Sequence, residues 1–388
     1  MTEPKRILLC PSAYYPNFGG VEEICRNLAD QLSERGYTVA IAVNRWPADT
    51  PDFEELWGIP VYRFDLGGPS KRHLLGTWRM FPRAGKFNRF LSSWKPDIIH
   101  VICPSTTGFY LWAAQHSHRA KVLLTFQGEL FMDAHDIYNK SWFAGWSVKK
   151  LLEVAHGITA CSQFVLDDAA RRYALPAVPT EVVFNGVQLG EGSNTQRAER
   201  AYVLGVGRVV KNKGFNVLIT AFSKIASQFP GIDLVLAGDG DELENLKKLA
   251  SSLNLSDRVI FTGRKQRDEI ATLFSNSRFF VLPSPCEPFG IVALEAMRAG
   301  KPVIACNAGG PPEFIQHGSN GMLVEPGDAD ALAQAMCALL TDTDFTDKLG
   351  QRALQDISAF SWRKITEQYT HIYAKLSAAA GRQRELAR

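Results

Sequence analysis

Strand-length apolar runs alternating with helix-length amphipathic segments constrain this 388-residue chain more than any other feature. The runs RILLC, YTVAIAV, DIIHVI, KVLLTF and GITACS occupy its first half, and AYVLGVG, DLVLAG, RVIFTG, RFFVLPS and KPVIAC its second. Between them stand segments of helical period, such as Val21 to Arg35, with Ile24, Leu28 and Leu32 on one face and Gly36 as a stop. That alternation is the pattern of parallel sheets covered by helices. It lapses into Gly, Ser, Asn, Thr and charge over Asn185 to Arg200 and then restarts. The expected fold is therefore α/β, with two Rossmann-like doubly wound parallel-sheet domains over 1–185 and 201–358 and a linker at 186–200. The length agrees, because it exceeds what one compact core usually organises.

Composition excludes several classes. With 46% hydrophobic and 21% charged residues the chain is ordinary for a soluble globular enzyme. A net charge of +3 is too small to indicate nucleic acid. Seven cysteines, odd in number, scattered and without a C-x-x-C pair, favour reduced thiols and a cytoplasmic location. The opening MTEPKRILLCPSAYYP lacks a signal core, and no run of about 18 apolar residues occurs, so neither export nor a membrane span is expected.

Three Gly-rich strand-to-helix turns carry the chemistry. In PSAYYPNFGGVEE, Gly19 and Gly20 leave bare amides at the positive end of a helix, although the spacing departs from G-x-G-x-x-G. In LGVGRVVKNKG, a strand ends at Gly207, and Arg208 and Lys213 offer two cations suited to a diphosphate. In PCEPFGIVALEAMRAGKP, a helix from about Gly290 to Ala299 would present the amides of Phe289, Gly290 and Ile291 to an anion. Glu287 lies just before that helix, and Glu295, on its second turn, could accept hydrogen bonds from a diol. Taken singly, these features also fit a tight turn, solvated charges, a cap and a helix-surface carboxylate.

In its order of motifs the chain resembles the retaining sugar-nucleotide glycosyltransferases of family 4, the glycosyl transferase group 1 type. The E-x7-E spacing of Glu287 and Glu295 stands together with YYPNFGGVE, IIHVICPS, LTFQGE, ITACS, FNGV, GVGRVVKNKG, LVLAGDGDE, FTGRKQRDEI, GGPPEFIQHGSNGMLVEPGD and FSWRKITEQYTHIY, covering nearly the whole chain. The resemblance implies the GT-B fold, two domains facing a cleft, with the closing helix near 360–378 crossing back onto the first. It implies that Arg208 and Lys213 bind the donor diphosphate, Glu295 the ribose and Glu287 the transferred sugar. The amides of Gly20 and of Phe289 to Ile291 would complete the phosphate cradle. Gly263, Arg264 and Ile270, with the Gly238 to Gly240 turn, would border the base, and His100 would lie at the cleft floor.

One departure matters. Many relatives carry a histidine where this chain has Gln127, which keeps a hydrogen bond but no proton or charge. Gln127 is therefore assigned to sugar positioning, with Glu129 and Asp133 as candidate carboxylates on the acceptor side or as ordinary helix-start or surface carboxylates. Pairs spaced D-x-D at Asp239/Asp241, Asp328/Asp330 and Asp342/Asp344 could suggest a metal, but their scatter and the available cations lead to the expectation that no metal or other cofactor is needed.

The stretch between Asp65 and Asp97 has no acidic residue, yet it holds Lys71, Arg72, Arg79, Arg83, Lys86, Arg89 and Lys95 among aromatics. Ala84, Phe87, Leu91 and Trp94 define an apolar face, and YNKSWFAGWSVKKLL adds Trp142, Trp146, Lys149 and Lys150. Segments 71–95 and 140–150 are thus candidates for peripheral contact with an anionic membrane at its inner face, or for ordinary packed helices. The expected activity is transfer of a hexose-type sugar from a nucleoside diphosphate sugar, UDP- or GDP-linked, to a saccharide or lipid-linked acceptor hydroxyl. A nucleotide-sugar epimerase and a degenerate binding scaffold are the alternatives; nucleic acid is not an expected partner, and a glycosidase leaves the cations unexplained.

Overall fold

The computed structural model describes residues 5–17, 19–68, 80–132, 137–190 and 200–385. Contacts divide the chain into two units, Met1–Asn185 with Trp362–Arg388, and Gly186–Ser361.

The first unit runs β1 (Arg6–Pro11), α1 (Gly20–Glu34), β2 (Thr38–Asn44), β3 (Phe53–Leu56), β4 (Ile59–Phe64), α2 (Met80–Trp94), β5 (Ile98–Ile102), α3 (Thr107–Ala113), β6 (Lys121–Phe126), α4 (Glu129–Met132), α5 (Ile137–Lys140), α6 (Trp142–Val154), β7 (Gly157–Ala160), α7 (Gln163–Arg172) and β8 (Thr180–Val182). The strands form one sheet in the order β3-β4-β2-β1-β5-β6-β7-β8. All neighbours are parallel except the β3–β4 hairpin at one edge. β1, β5 and β6 are buried almost throughout, which is why each reads as an unbroken apolar run. β3 and β8 are short edge strands, half-exposed or more, and present no such run.

The second unit runs β9 (Ala201–Val206), α8 (Phe215–Ile225), β10 (Ile232–Ala237), α9 (Leu243–Ser252), β11 (Val259–Gly263), α10 (Arg267–Asn276), β12 (Phe280–Leu282), α11 (Ile291–Arg298), β13 (Val303–Cys306), β14 (Gly321–Val324), α12 (Ala329–Thr341) and α13 (Thr343–Asp356). Its sheet, β11-β10-β9-β12-β13-β14, is parallel throughout. Leu218 and Phe222 of α8 share a core with Leu332 and Met336 of α12 beside the sheet residues Val203 and Leu234.

The chain leaves the first unit after Asn185 and re-enters it at Trp362. The two crossing segments are tied where they meet, with the Val187 amide donating to the Phe360 carbonyl at 2.8 Å. Val187 and Gln188 of the expected linker are therefore held, Gln188 accepting from Arg298 at 3.0 Å, and residues 191–199 lie outside the described residues.

The last helix, α14 (Trp362–Glu385), belongs to the first unit. Arg35 donates to the Arg363 carbonyl at 2.8 Å, and Lys375 meets Glu181 at 3.0 Å. Deeper in, the Tyr373 hydroxyl lies 2.7 Å from Nδ1 of His100, whose Nε2 lies 2.6 Å from the Thr125 hydroxyl.

The apolar face of α2 is turned onto the sheet rather than outward. Phe87 and Leu91 are buried, Phe64 packs edge-on against Phe87, and Arg6 covers the Trp94 ring at 4.6 Å. Arg83 and Lys86 are ion-paired to Asp65 and Asp52. The membrane face expected of residues 80–95 is thus spent on the core, leaving Phe81 exposed; residues 69–79, with Lys71, Arg72 and Arg79, lie outside the described residues. Among the described residues no helix is long and apolar enough to cross a membrane.

Candidate functional site

An open parallel sheet takes its ligands beyond the carboxyl ends of its strands, where the strand order reverses. In the second unit the chain proceeds from β9 to β10 and β11 on one side, then returns to place β12 on the other. The crevice therefore falls between the loops that follow β9 and β12. These loops carry Arg208 and Lys213 on one side and Glu287 with the start of α11 on the other.

The two loops are pressed together. Gly214 is left-handed, with φ 69°, and a Cβ there would collide with the Pro283 carbonyl at the end of β12. That close approach sets Nζ of Lys213 2.7 Å from Oε2 of Glu287, across 74 residues of sequence. Both side chains are largely buried, 15% and 11% exposed. Arg208 is exposed, and its side chain makes no hydrogen bond or ion pair among the described residues. Glu287 is held from behind, its carbonyl accepting from the Gly310 amide at 2.8 Å.

Gly290, at φ 96°, caps α11, whose first turn holds no acidic residue. The amides at this helix start face no carboxylate from their own turn, as anion binding requires. Phe289 contributes backbone only, because its ring is buried and packs against Phe314 at 4.9 Å. Glu295 is half-buried on the second turn of α11. Sequence reasoning passed over Ser284, which is buried beyond β12 with an Oγ that makes no hydrogen bond among the described residues. Its one signal was a small polar residue between two prolines at a strand end.

Gly238 and Gly240 have a reason that needs no ligand. A Cβ at Gly238 would collide with the Gly207 carbonyl, and one at Gly240 with the Val209 carbonyl, so both glycines let the loop after β10 pack backbone-to-backbone on the loop after β9. Gly263 ends β11 and Arg264 and Ile270 follow it, with β10 between that strand and β9. Arg264 is exposed there, and Ile270 is half-buried early in α10.

In the first unit the order reverses between β1 and β5. Gly19 is extended, Gly20 begins α1, and the first turn brings Glu22 and Glu23 with it. A Cβ at Gly19 would lie 2.8 Å from Oε2 of Glu22, so this helix start meets its own carboxylate, and Glu23 takes a hydrogen bond from the Tyr15 hydroxyl. As a phosphate cradle it is poorer than α11.

Beyond β6, Oε1 of Gln127 accepts from Asn185 at 2.9 Å and the Gln127 amide donates to Oε2 of Glu129 at 2.8 Å. Nε2 of Gln127 and Oε1 of Glu129 are buried without a partner among the described residues. Burial pushes the Glu129 carboxyl up to about 7, against backbone and Cys103 hydrogen bonds that lower it and a smaller upward push from Asp168. Glu129 is thus a candidate neutral acid near neutral pH, while Asp133 lies outside the described residues.

His100 departs from expectation. It is fully buried inside β5, both ring nitrogens are engaged by Tyr373 and Thr125, and burial pushes its pKa down to about 3. It fastens the closing helix to the sheet and presents nothing to a ligand. The D-x-D pairs resolve into local turns and caps. Asp239 accepts from Gly240, Asp328 caps α12 through the amides of Asp330 and Ala331, and Asp342 caps α13 through Phe345. Among the described residues no three His, Cys, Asp or Glu side chains gather as a metal site.

The model of the glycosyl transferases group 1 matches residues 191–356, and that of the glycosyl transferase 4-like domain matches residues 19–186. An uncharacterized glycosyltransferase of Methanocaldococcus jannaschii is 29% identical over 94% of this chain and 96% of its own length. The N-acetyl-alpha-D-glucosaminyl L-malate synthase of Bacillus anthracis is 27% identical over 92% and 94%. Among solved structures, sucrose-phosphate synthase from Thermosynechococcus elongatus superposes with a TM-score of 0.80 at 26% identity, covering 97% of this chain and 100% of that one. Anabaena HepE in complex with UDP-glucose, at 22% identity and a TM-score of 0.77 over 95% and 99%, shares the fold.

Proposed function

Because the chain belongs to the group 1 glycosyltransferases of the family 4 type and has their GT-B fold, we propose that it transfers a hexose-type sugar, with retention, from a nucleoside diphosphate sugar to an acceptor hydroxyl. The observation that carries this reading is the Lys213–Glu287 pair beside Arg208 and the acid-free start of α11, all at the order reversal of one sheet.

The chemistry follows from where charge develops. As the anomeric bond breaks, positive charge spreads over the sugar ring and negative charge collects on the departing diphosphate. Arg208, Lys213 and the amides of Gly290 and Ile291 stabilise that anion without reorganising. An arriving diphosphate takes the Lys213 ammonium from Glu287, which frees the Glu287 carboxylate for sugar hydroxyls. Glu295 accepts from the ribose diol. Same-face attack then needs no protein base, since the leaving phosphate can take the acceptor proton, and Gln127 serves by orientation alone. The donor class is that of the UDP-glucose bound by Anabaena HepE; GDP-sugars fit the same cations.

A thermal-shift panel of UDP- and GDP-sugars tests the donor, because a ligand bound by the folded state alone raises stability with its affinity. Stabilisation by at least one nucleotide sugar, lost in Glu295→Ala, is expected. No shift with any of them at saturating concentration would overturn the reading.

A further inference from the structure

We infer that a pocket on the first unit, walled by α5, α6 and the end of α7, binds a sugar ring carrying a carboxylate or phosphate, as part of the acceptor. The inference rests on the glycosyltransferase reading for the word acceptor, and on the following geometry for the pocket itself.

The cavity is about 490 Å³ and is lined by Tyr138, Trp142, Trp146, Lys149, Arg172 and Tyr173, with Ser141 and Gly145. That size lies in the range of small-molecule sites, roughly 300–1,000 Å³. Gly145 forms part of its floor, where even a Cβ would only reach ordinary contact with the Tyr138 carbonyl and the Tyr173 hydroxyl, at 3.8 Å each. The aromatic wall is rigid on one side, since Trp146 is backed by Phe109 at 5.5 Å and Trp112 at 6.0 Å between ring centroids. On the other side Trp142 stands 72% exposed, meeting Phe143 edge-on at 5.8 Å and leaving most of its indole surface open among the described residues. Large flat aromatic rings with a polar edge suit a partner that is apolar on its face and wet at its rim, as a pyranose is.

Charge selects the class of sugar. Among the described residues no Asp or Glu lines the cavity. Lys150 is neutralised by Glu153 at 2.7 Å and lies over the Trp112 ring. Lys149 is exposed, with no hydrogen bond or ion pair among the described residues. Arg172 spends its Nε on Asp168 at 2.8 Å, and its side chain remains one-third exposed. With the Arg172 charge shared with Asp168, the Lys149 ammonium gives the mouth its positive field, which a neutral sugar would not use.

Position ties the pocket to the reactive end of the sheet. The Tyr138 hydroxyl donates to the carbonyl of Pro104, just past β5. Burial raises the Tyr173 phenol, Arg172 opposes that, and the Glu129 carboxylate adds to it, so Glu129 at the end of β6 lies within electrostatic reach.

The test compares methyl α-D-glucuronide and glucose 6-phosphate with methyl α-D-glucoside, by saturation-transfer NMR and titration of the full chain, with UDP and GDP titrated in parallel. The charged sugars should bind at least about tenfold tighter than the neutral one. Trp142→Ala should weaken all three, and Lys149→Gln should erase the preference for charge. Both side chains are exposed, so both variants should keep their melting temperature and their nucleotide affinity. Equal binding of charged and neutral sugars, or a preference that survives Lys149→Gln, overturns the inference. So does binding to phosphatidylglycerol vesicles that both variants lose while no soluble sugar binds, an outcome that assigns the patch to a membrane. Charged-sugar binding with no nucleotide binding would uphold the pocket and remove the donor reading instead.

Discussion

The two units share one kind of sheet, yet their carboxyl-end faces are built in opposite ways. In the second, the polar groups are charged and stand at the mouth, with Arg208 exposed and Lys213 and Glu287 neutralising each other until something replaces one of them. In the first, the polar groups are turned inward. Gln127 is pinned by Asn185, Glu129 holds a buried carboxyl, and the exposed recognition surface is aromatic. A diphosphate demands the same cations and amides whatever sugar it carries. An acceptor demands shape, which many sequences can supply.

The sharpest way to break this contrast is Arg208→Ala. Losing one donor to the developing anion should slow turnover by about 10²–10³-fold, some 2.7–4 kcal/mol in the barrier, measured as nucleoside diphosphate released. Because the Arg208 side chain bonds to no other group among the described residues, stability should move by no more than about 0.5 kcal/mol. Lys213→Ala should slow turnover comparably but also lower the melting temperature, since it leaves Glu287 largely buried without its cation. Near-normal turnover in Arg208→Ala would end the leaving-group argument.

On the first unit the corresponding prediction concerns pH. Glu129 titrates near 4.5 unfolded and about 7 folded, so its contribution to stability is complete below about 4.5 and lost as pH rises through 7. His100 runs the other way, from 6.5 unfolded to about 3 folded, so its contribution is complete above 6.5 and lost as pH falls. Between 4.5 and 6.5 the two slopes cancel. Glu129→Gln, which stays neutral, should expose the histidine slope. Stability would then rise by about 1.4 kcal/mol per pH unit through that window, read from hydrogen exchange of β5 and β6 amides. At pH 7.5 the variant should be the more stable protein by about 3 kcal/mol. Parallel profiles for the two proteins would mean that Glu129 does not hold its proton.

The sheet was legible in the sequence wherever strands are buried on both faces, because RILLC or KVLLTF has no other stable place. β3, with Phe53 and Glu55 exposed and Glu54 paired to the buried Arg63, has no apolar signature and was invisible. Arg208, Lys213, Glu287 and Glu295 stood out in the sequence because they flank two glycine-bearing strand-to-helix turns, and the structure brings Lys213 and Glu287 into contact. His100 was misjudged because position in a strand does not say which groups will close over it, and those groups, Tyr369 and Tyr373, come from the far end of the chain. Gly238 and Gly240 look like ligand glycines in sequence and are packing glycines in space, since close backbone approach asks for the same residue in both cases. The pocket at Trp142 and Lys149 was seen only as a basic aromatic stretch, because its far wall, Arg172 and Tyr173, lies a helix away.

A smaller effect sharpens the donor side. Glu295→Ala should weaken nucleotide binding by about 1.5–3 kcal/mol, the range for hydrogen bonds to a charged group, a roughly 10- to 150-fold rise in Kd by calorimetry. Saccharide binding at the first unit should be unaffected. Loss of both together would mean that the two faces are not independent recognition surfaces.

The smallest expected effect is that of chelation. If Arg208, Lys213 and the start of α11 carry the diphosphate charge, turnover in excess EDTA should change by less than about twofold, under 0.5 kcal/mol in the barrier. The carboxylates best spaced for a cation are already engaged, Asp328 and Asp342 as helix caps and Asp239 within its own turn. Recruiting them would cost each helix about 1 kcal/mol for the lost cap. A tenfold fall restored by Mg²⁺ or Mn²⁺ would show that the cations of the second unit do not suffice. The comparison would then have to include a metal held by the substrate's own phosphates, and Arg208→Ala measured with the metal restored should cost correspondingly less.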